Sequence, residues 1–274
     1  MMKKNLLLIL MCFVCGLVYA HDGLNFRNLD VKSGISDNYV RSVLRDQYGF
    51  MWFATLNGLN RYDGYQFKKY TTTQLGAYNN DIESIAEDAA GNIWIKGPVS
   101  YYIYDREQDK LENKIQPVLN KYGITGEVSY LTVDKDYNLW CTVMDTLFHY
   151  DFAKSKLHTF QLPGKEKMQQ VVCRRSCAYL LFSNGEIARI DSNFQHIRPE
   201  TRRTISSGLQ YNLYIDTVDR LWFYASHASG LQCYDTNQKQ WIDYVGRQEV
   251  TDALITAVMD DGDGNLWIGT DDKG

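Results

Sequence analysis

Asp46-Gln47-Tyr48-Gly49-Phe50-Met51-Trp52-Phe53-Ala54-Thr55 sets an aspartate six residues ahead of a tryptophan, with a glycine between them and an apolar run around the indole. The same spacing recurs along the chain. Trp94, Trp140, Trp222 and Trp267 also sit in apolar runs, each preceded at six residues by an aspartate: Asp88, Asp134, Asp216 and Asp261. Successive tryptophans from Trp52 lie 42, 46, 82 and 45 residues apart, and the third gap is close to two periods. A unit without its tryptophan is therefore expected near residue 180, where Tyr179-Leu180-Leu181-Phe182 stands, and the period is about 43.

The flanks of each tryptophan supply the rest of the unit. Gly49, Gly91 and Gly264 follow their aspartates by three residues, so Asp-x-x-Gly reads as a turn: Asp bonds its own backbone and Gly supplies positive φ. Tyr62-Asp63, Tyr104-Asp105, Tyr150-Asp151 and Ile190-Asp191 come ten and eleven residues after the central position. Tyr234-Asp235 arrives two residues late, which places a small insertion around residues 226–229. Four short apolar runs per unit, such as Val40 to Leu44, Phe50 to Thr55, Leu59 to Tyr62 and Gln66 to Tyr70, predict the four strands of a propeller blade. Only Met168 to Leu181 fits helical spacing, and the regular units on both sides favour strands there too. The expected fold is all-β: a β-propeller of four-stranded blades centred on Trp52, Trp94, Trp140, Leu180, Trp222 and Trp267. About six blades are present over 21–274, the last cut short after its second strand.

A tryptophan repeated in every blade belongs to the packing between sheets, where it buries on the order of 200 Å². The repeated aspartates, by the same reasoning, are turn residues and not paired catalytic carboxylates. Because a ring closed on half a blade would leave long strand edges unpaired, a continuation beyond Gly274 is expected. Leu24 to Leu29 reads as an outermost strand available to a last blade.

Composition agrees with a large folded domain. The 274 residues are 45% hydrophobic and 14% aromatic, with 29 Lys+Arg against 33 Asp+Glu and only 4 prolines. Abundant aromatics with a net charge of -4 argue against disorder, and no polybasic block points to nucleic acid or an anionic membrane. Residues 1–20 open with Lys3 and Lys4, run apolar from Leu6 to Val18, and end Val18-Tyr19-Ala20 before His21. This predicts a secretory signal peptide cut after Ala20, since the apolar run is short against the roughly 20 residues of a membrane span. Of the cysteines beyond it, Cys141, Cys173, Cys177 and Cys233 are expected as buried free thiols, with Cys173 and Cys177 the first choice for a pair if a bridge forms.

Gly34-Ile35-Ser36-Asp37-Asn38-Tyr39-Val40-Arg41-Ser42-Val43, continuing through Asp46 to Thr55 and Asn57-Gly58-Leu59-Asn60-Arg61-Tyr62-Asp63-Gly64, resembles the opening blade of the two-component regulator propellers. Asn265-Leu266-Trp267-Ile268-Gly269-Thr270 is similar to the same repeat in its most regular form. The resemblance implies the N-terminal part of the periplasmic sensor region of a hybrid histidine kinase, with seven-bladed rings. It also implies further parts of the same polypeptide as partners: a second propeller, an immunoglobulin-like domain, a membrane helix and a kinase. Relatives sense glycan fragments, so the resemblance implies an oligosaccharide ligand.

No phosphate loop, dinucleotide fingerprint, metalloprotease helix or nucleophile elbow occurs, and no catalytic, metal or cofactor site is expected. His149 is read as solvated or hydrogen-bonded, and Arg202-Arg203 as a solvated loop. In a propeller a ligand would meet the face made by the loops from second to third strands and from blade to blade. The non-repeating polar candidates there are Asn57, Asp145, Asn184, His227, Tyr244 and Asp271, with Tyr78 and Tyr122 beside them. A sensor module is the first functional expectation. An exported enzyme acting on polysaccharides, and an interaction scaffold forming a homodimer, are its rivals.

Overall fold

The computed structural model describes residues 27–164, 166–174, 177–191, 193–206, 208–242 and 252–271. The signal segment, Tyr244 and residues 272–274 lie outside them, as do residues 24–26 of the expected outermost strand; Arg27 to Leu29 are not in a strand.

Six antiparallel sheets follow one another. Blade 1 runs Val40–Arg45, Met51–Thr55, Gly58–Tyr62, Phe67–Tyr70, and blade 2 Ser84–Glu87, Ile93–Lys96, Tyr101–Asp105, Lys110–Glu112. Blade 3 runs Val128–Val133, Leu139–Val143, Thr146–Asp151, Lys156–Gln161. Blade 4, including the ambiguous stretch from Met168, is Met168–Arg174, Cys177–Phe182, Glu186–Ile190, Ile197–Arg202. Blade 5 is Tyr211–Ile215, Arg220–Ala225, Leu231–Asp235, Gln240–Ile242. Blade 6 has Leu254–Asp260 and Leu266–Thr270. The expected insertion in blade 5 is a two-residue strand, Ala228–Ser229, that leaves its own sheet and pairs with Ile255 and Leu254 on the free edge of blade 6. First strands of neighbouring blades approach one another, as they must around a central axis. The chain is a β-propeller of six blades, the sixth with two strands of its own among the described residues.

The core consists of the seams between blades. Trp52 packs with Ile85 and Tyr104 of blade 2, Trp94 with Leu131 and Cys141 of blade 3, Trp140 with Val171 and Ala188 of blade 4, and Trp222 with Ile255 and Val258 of blade 6. Strand residues alternate faces, so parity decides which side chain reaches the next blade. In blade 4 that rule selects Tyr179, which packs with Leu213 and Phe223 of blade 5, while Leu180 points back to blade 3. The residue in the tryptophan's place is therefore Tyr179, one position before the expected Leu180. Trp267 differs from the other indoles: it is 62% exposed, with no described strand beyond it.

Each aspartate does more than the turn required. In blade 1 Asp46 Oδ1 accepts the backbone N–H groups of Tyr48 and Phe50, while Oδ2 accepts the indole Nε1–H of Trp52 at 2.9 Å. The indole bond recurs at 2.8 Å from Trp94 to Asp88, 2.8 Å from Trp140 to Asp134, 2.9 Å from Trp222 to Asp216 and 3.1 Å from Trp267 to Asp261. The six-residue spacing thus lets one carboxylate close the hairpin and satisfy the buried indole N–H, a donor that is costly to leave unpaired. Burial pushes Asp88 and Asp134 up. At Asp216 burial opposes the hydrogen bonds from Trp222 and Arg220, which win and lower it.

Cys141, Cys173, Cys177 and Cys233 are free thiols. Cys173 faces the seam with blade 3 and Cys177 the seam with blade 5, so opposite faces of one hairpin separate the pair that sequence proximity favoured.

Candidate functional site

The loops from second to third strands and the connections between blades share one face of the ring, and that face collects the non-repeating polar residues. Asn57, Asp145 and Asn184 lie in these loops in blades 1, 3 and 4, His227 in that of blade 5, and Asp271 directly after the second strand of blade 6. Asn184 Oδ1 accepts the N–H of Glu186 and is spent on its own turn. Asn57 and Asp145 are exposed, and no hydrogen bond joins either to another candidate. Tyr78 is fully exposed. Tyr122 is structural: its hydroxyl accepts from Asn92 Nδ2 at 2.9 Å and its ring packs against Tyr150 and Phe152.

Two candidates meet. His227 Nδ1 lies 2.5 Å from Asp271 Oδ2, because the inserted strand carries His227 across to blade 6. His227 N–H and Asp271 N–H donate to Ile255 and Leu254 carbonyls, fixing both backbones, and His227 sits at φ 54. A carboxylate on Nδ1 orients the ring and leaves Nε2 as its second hydrogen-bonding atom. Among the described residues no group of three metal-ligating side chains comes together.

Two other expectations change. Arg203 is half-buried, with its guanidinium 4.6 Å over the ring of Trp241 and Nε donating to Gln232 Oε1 at 2.5 Å. His149 is buried, and neither ring nitrogen has a hydrogen-bond partner.

Sequence reasoning missed one feature of the loop face. Between blades 2 and 3 opens a cavity of about 570 Å³, walled by Val99 to Tyr101 and by the connection 113–127. That connection holds the α-helix Gln116–Lys121, the one α-helix among the described residues. The signal available in sequence was a negative one: a long inter-blade stretch that the repeat does not explain.

Two regions of this ring, residues 34–57 and 250–272, match the two component regulator propeller family. The chain carries two-component regulator propeller repeats. They coincide with the start of blade 1 and with blade 6, two of the five blades with the six-residue Asp-to-Trp spacing. Among solved structures, this chain is similar to the extracellular domain of a hybrid two component system from B. thetaiotaomicron. That likeness has 21% identity and TM-score 0.61 over 89% of this chain and 34% of that one. A second extracellular domain from B. thetaiotaomicron, of a one component system, is 16% identical with TM-score 0.51 over 82% and 33%. Virginiamycin B lyase from Staphylococcus aureus, solved as a catalytically inactive variant with quinupristin, is 16% identical with TM-score 0.59 over 85% and 78%. At such identities the likeness shows the fold. The chain spans about a third of the length of the two extracellular domains. No curated protein matches it.

Proposed function

We propose that this chain is the exported sensor propeller of a hybrid two-component regulator, binding glycan-derived oligosaccharides at its loop face. Occupancy is relayed to a kinase carried by other parts of the same polypeptide, among them a second propeller and an immunoglobulin-like domain. The observation that carries the reading is the pair of regulator-propeller repeats at 34–57 and 250–272. The apolar, signal-like residues 1–20 support export. Propellers host both binding and catalysis, so the fold does not decide between them. Among the described polar candidates of the loop face only His227 and Asp271 come together, which favours binding over chemistry that needs several converging groups.

One observation favours the enzymatic rival, an exported propeller acting on polysaccharides: the His227–Asp271 contact has the geometry of an oriented base. Calorimetry against defined oligosaccharides, with product analysis of the same mixtures, separates the two. The sensor reading expects heat of binding without new products. Turnover that His227→Ala abolishes would refute it.

A further inference from the structure

We infer that the cavity between blades 2 and 3 is a saccharide subsite selective for neutral, hydroxyl-bearing rings; the inference rests on the sensor reading and names where its ligand sits. Residues that repeat from blade to blade serve the ring, so a site should lie where the pattern breaks. It breaks here twice. Connection 113–127 is longer than the one joining blades 1 and 2, residues 71–83, and it contains the α-helix.

The wall is preorganised. Leu119 in the helix and Ile124 after it are fully buried in the seam and anchor the connection there. The Gln116 amide donates to Ile124 O at 2.7 Å and to Asn120 Oδ1 at 2.8 Å, which leaves the Asn120 amide nitrogen to a ligand. Gly126, at φ 113, lets the rim close on Val143, whose Cγ1 would lie 2.6 Å from any Cβ. Tyr101 is held by its hydroxyl, which accepts the N–H of Leu131 at 2.9 Å, so its ring is a fixed surface of the cavity. Fixed walls reduce the ordering cost of binding.

The lining decides the class. Ser100, Lys114, Asn120 and Glu127 offer donors and acceptors beside the Tyr101 ring and Val99. A wholly apolar ligand would desolvate the ammonium and the carboxylate without partners. A polyanion would meet Glu127, and a metal ion would find a single carboxylate. A ring with hydroxyl edges and C–H faces satisfies both kinds of surface, and the volume lies in the range of small-ligand sites.

The test titrates the protein with N,N′-diacetylchitobiose, maltotriose and digalacturonic acid by calorimetry, beside Ser100→Trp and the Lys114→Ala/Asn120→Ala double variant. Ser100 is an exposed turn residue, and unchanged melting temperatures confirm that the variants fold. The inference expects a neutral probe to bind and both variants to weaken it by about tenfold or more. Binding that both variants leave intact moves the site elsewhere and spares the sensor reading. Binding of digalacturonic acid alone overturns the assigned class. No binding by any probe at millimolar concentration overturns the cavity as a site for neutral saccharides, while the sensor reading stands or falls on the wider oligosaccharide titrations.

Discussion

Replacing His149 by phenylalanine tests how the seam between blades 3 and 4 is built. His149 lies opposite Trp140 on one side and His158 on the other, in register. Its ring stacks on Trp140 with centroids 4.0 Å apart and on Phe194 of blade 4 at 4.7 Å. The side chain is 2% exposed, and neither nitrogen is hydrogen-bonded; the nearest carboxylate oxygen, Asp134 Oδ2, is 4.0 Å away and already accepts from Trp140. Burial first, then the positive charges that His158 and Lys154 would add, push the imidazole down to about 4, against a smaller upward pull from Asp151.

The folded state therefore binds this proton less readily than the unfolded chain, whose histidine titrates near 6.5. The stabilisation is complete above pH 6.5 and is lost as pH falls from there to about 4, below which this group changes nothing more. Over that window the loss is about 3 kcal/mol. Urea unfolding at pH 7.5, 6.0 and 4.5 measures it. In His149→Phe a ring of similar shape keeps the stack and removes two unpaired nitrogens, so stability at pH 7.5 should hold or rise slightly. The wild type should then lose about 2 to 3 kcal/mol more than the variant between pH 7.5 and 4.5. Parallel pH profiles for the two proteins would refute the buried neutral imidazole.

Asp88→Ala strips the partners from the Trp94 indole and from the Asn92 side chain and backbone, all in a buried turn, and should cost about 3 kcal/mol in urea unfolding. Asp261→Ala, made where Trp267 is exposed, should cost well under about 1 kcal/mol by the same assay. Gly185→Ala should lower stability by about 2 kcal/mol or more, because Gly185 has φ 79 and its Cβ would fall 2.0 Å from the Arg203 carbonyl oxygen; a melting scan reads it. A reducing agent should leave the melting temperature unchanged, since Cys173 and Cys177 face different seams.

What repeats was legible in the sequence, because six blades impose the same demand at the same spacing. The Asp-to-Trp interval marked every second strand except that of blade 4. There, without an indole, apolar character alone could not choose between Tyr179 and Leu180, and strand parity did. What depends on a neighbouring blade was not legible. His149 looks like any strand histidine until Phe194, from the far side of a seam, closes over it. Cys173 and Cys177 are close in sequence, but a hairpin turns them to opposite faces. The topology puts Asn57, Asp145, Asn184, His227 and Asp271 in loops at one end of the sheets. The contact between His227 and Asp271 needed a strand exchanged between sheets, and the cavity at 113–127 needed a helix that no repeat predicts.

The division between the two faces has a physical cause. The carboxylates that hold the indoles sit in the hairpins joining first to second strands, at the opposite end of the sheets from the loop face. Rigidity is thereby supplied at one end and by the seams, where Trp52, Trp94, Trp140 and Trp222 are almost wholly buried. Loops at the other end carry none of these bonds, so their length and polarity can change without loosening the ring. That freedom accommodates both the strand Ala228–Ser229 and the helix Gln116–Lys121. A connection whose Leu119 and Ile124 are locked into the seam of blades 2 and 3 also lies against the sheets that Trp94 holds together. A ligand that orders this connection bears directly on the packing between two blades, the element through which occupancy of the cavity would be felt by the rest of the ring.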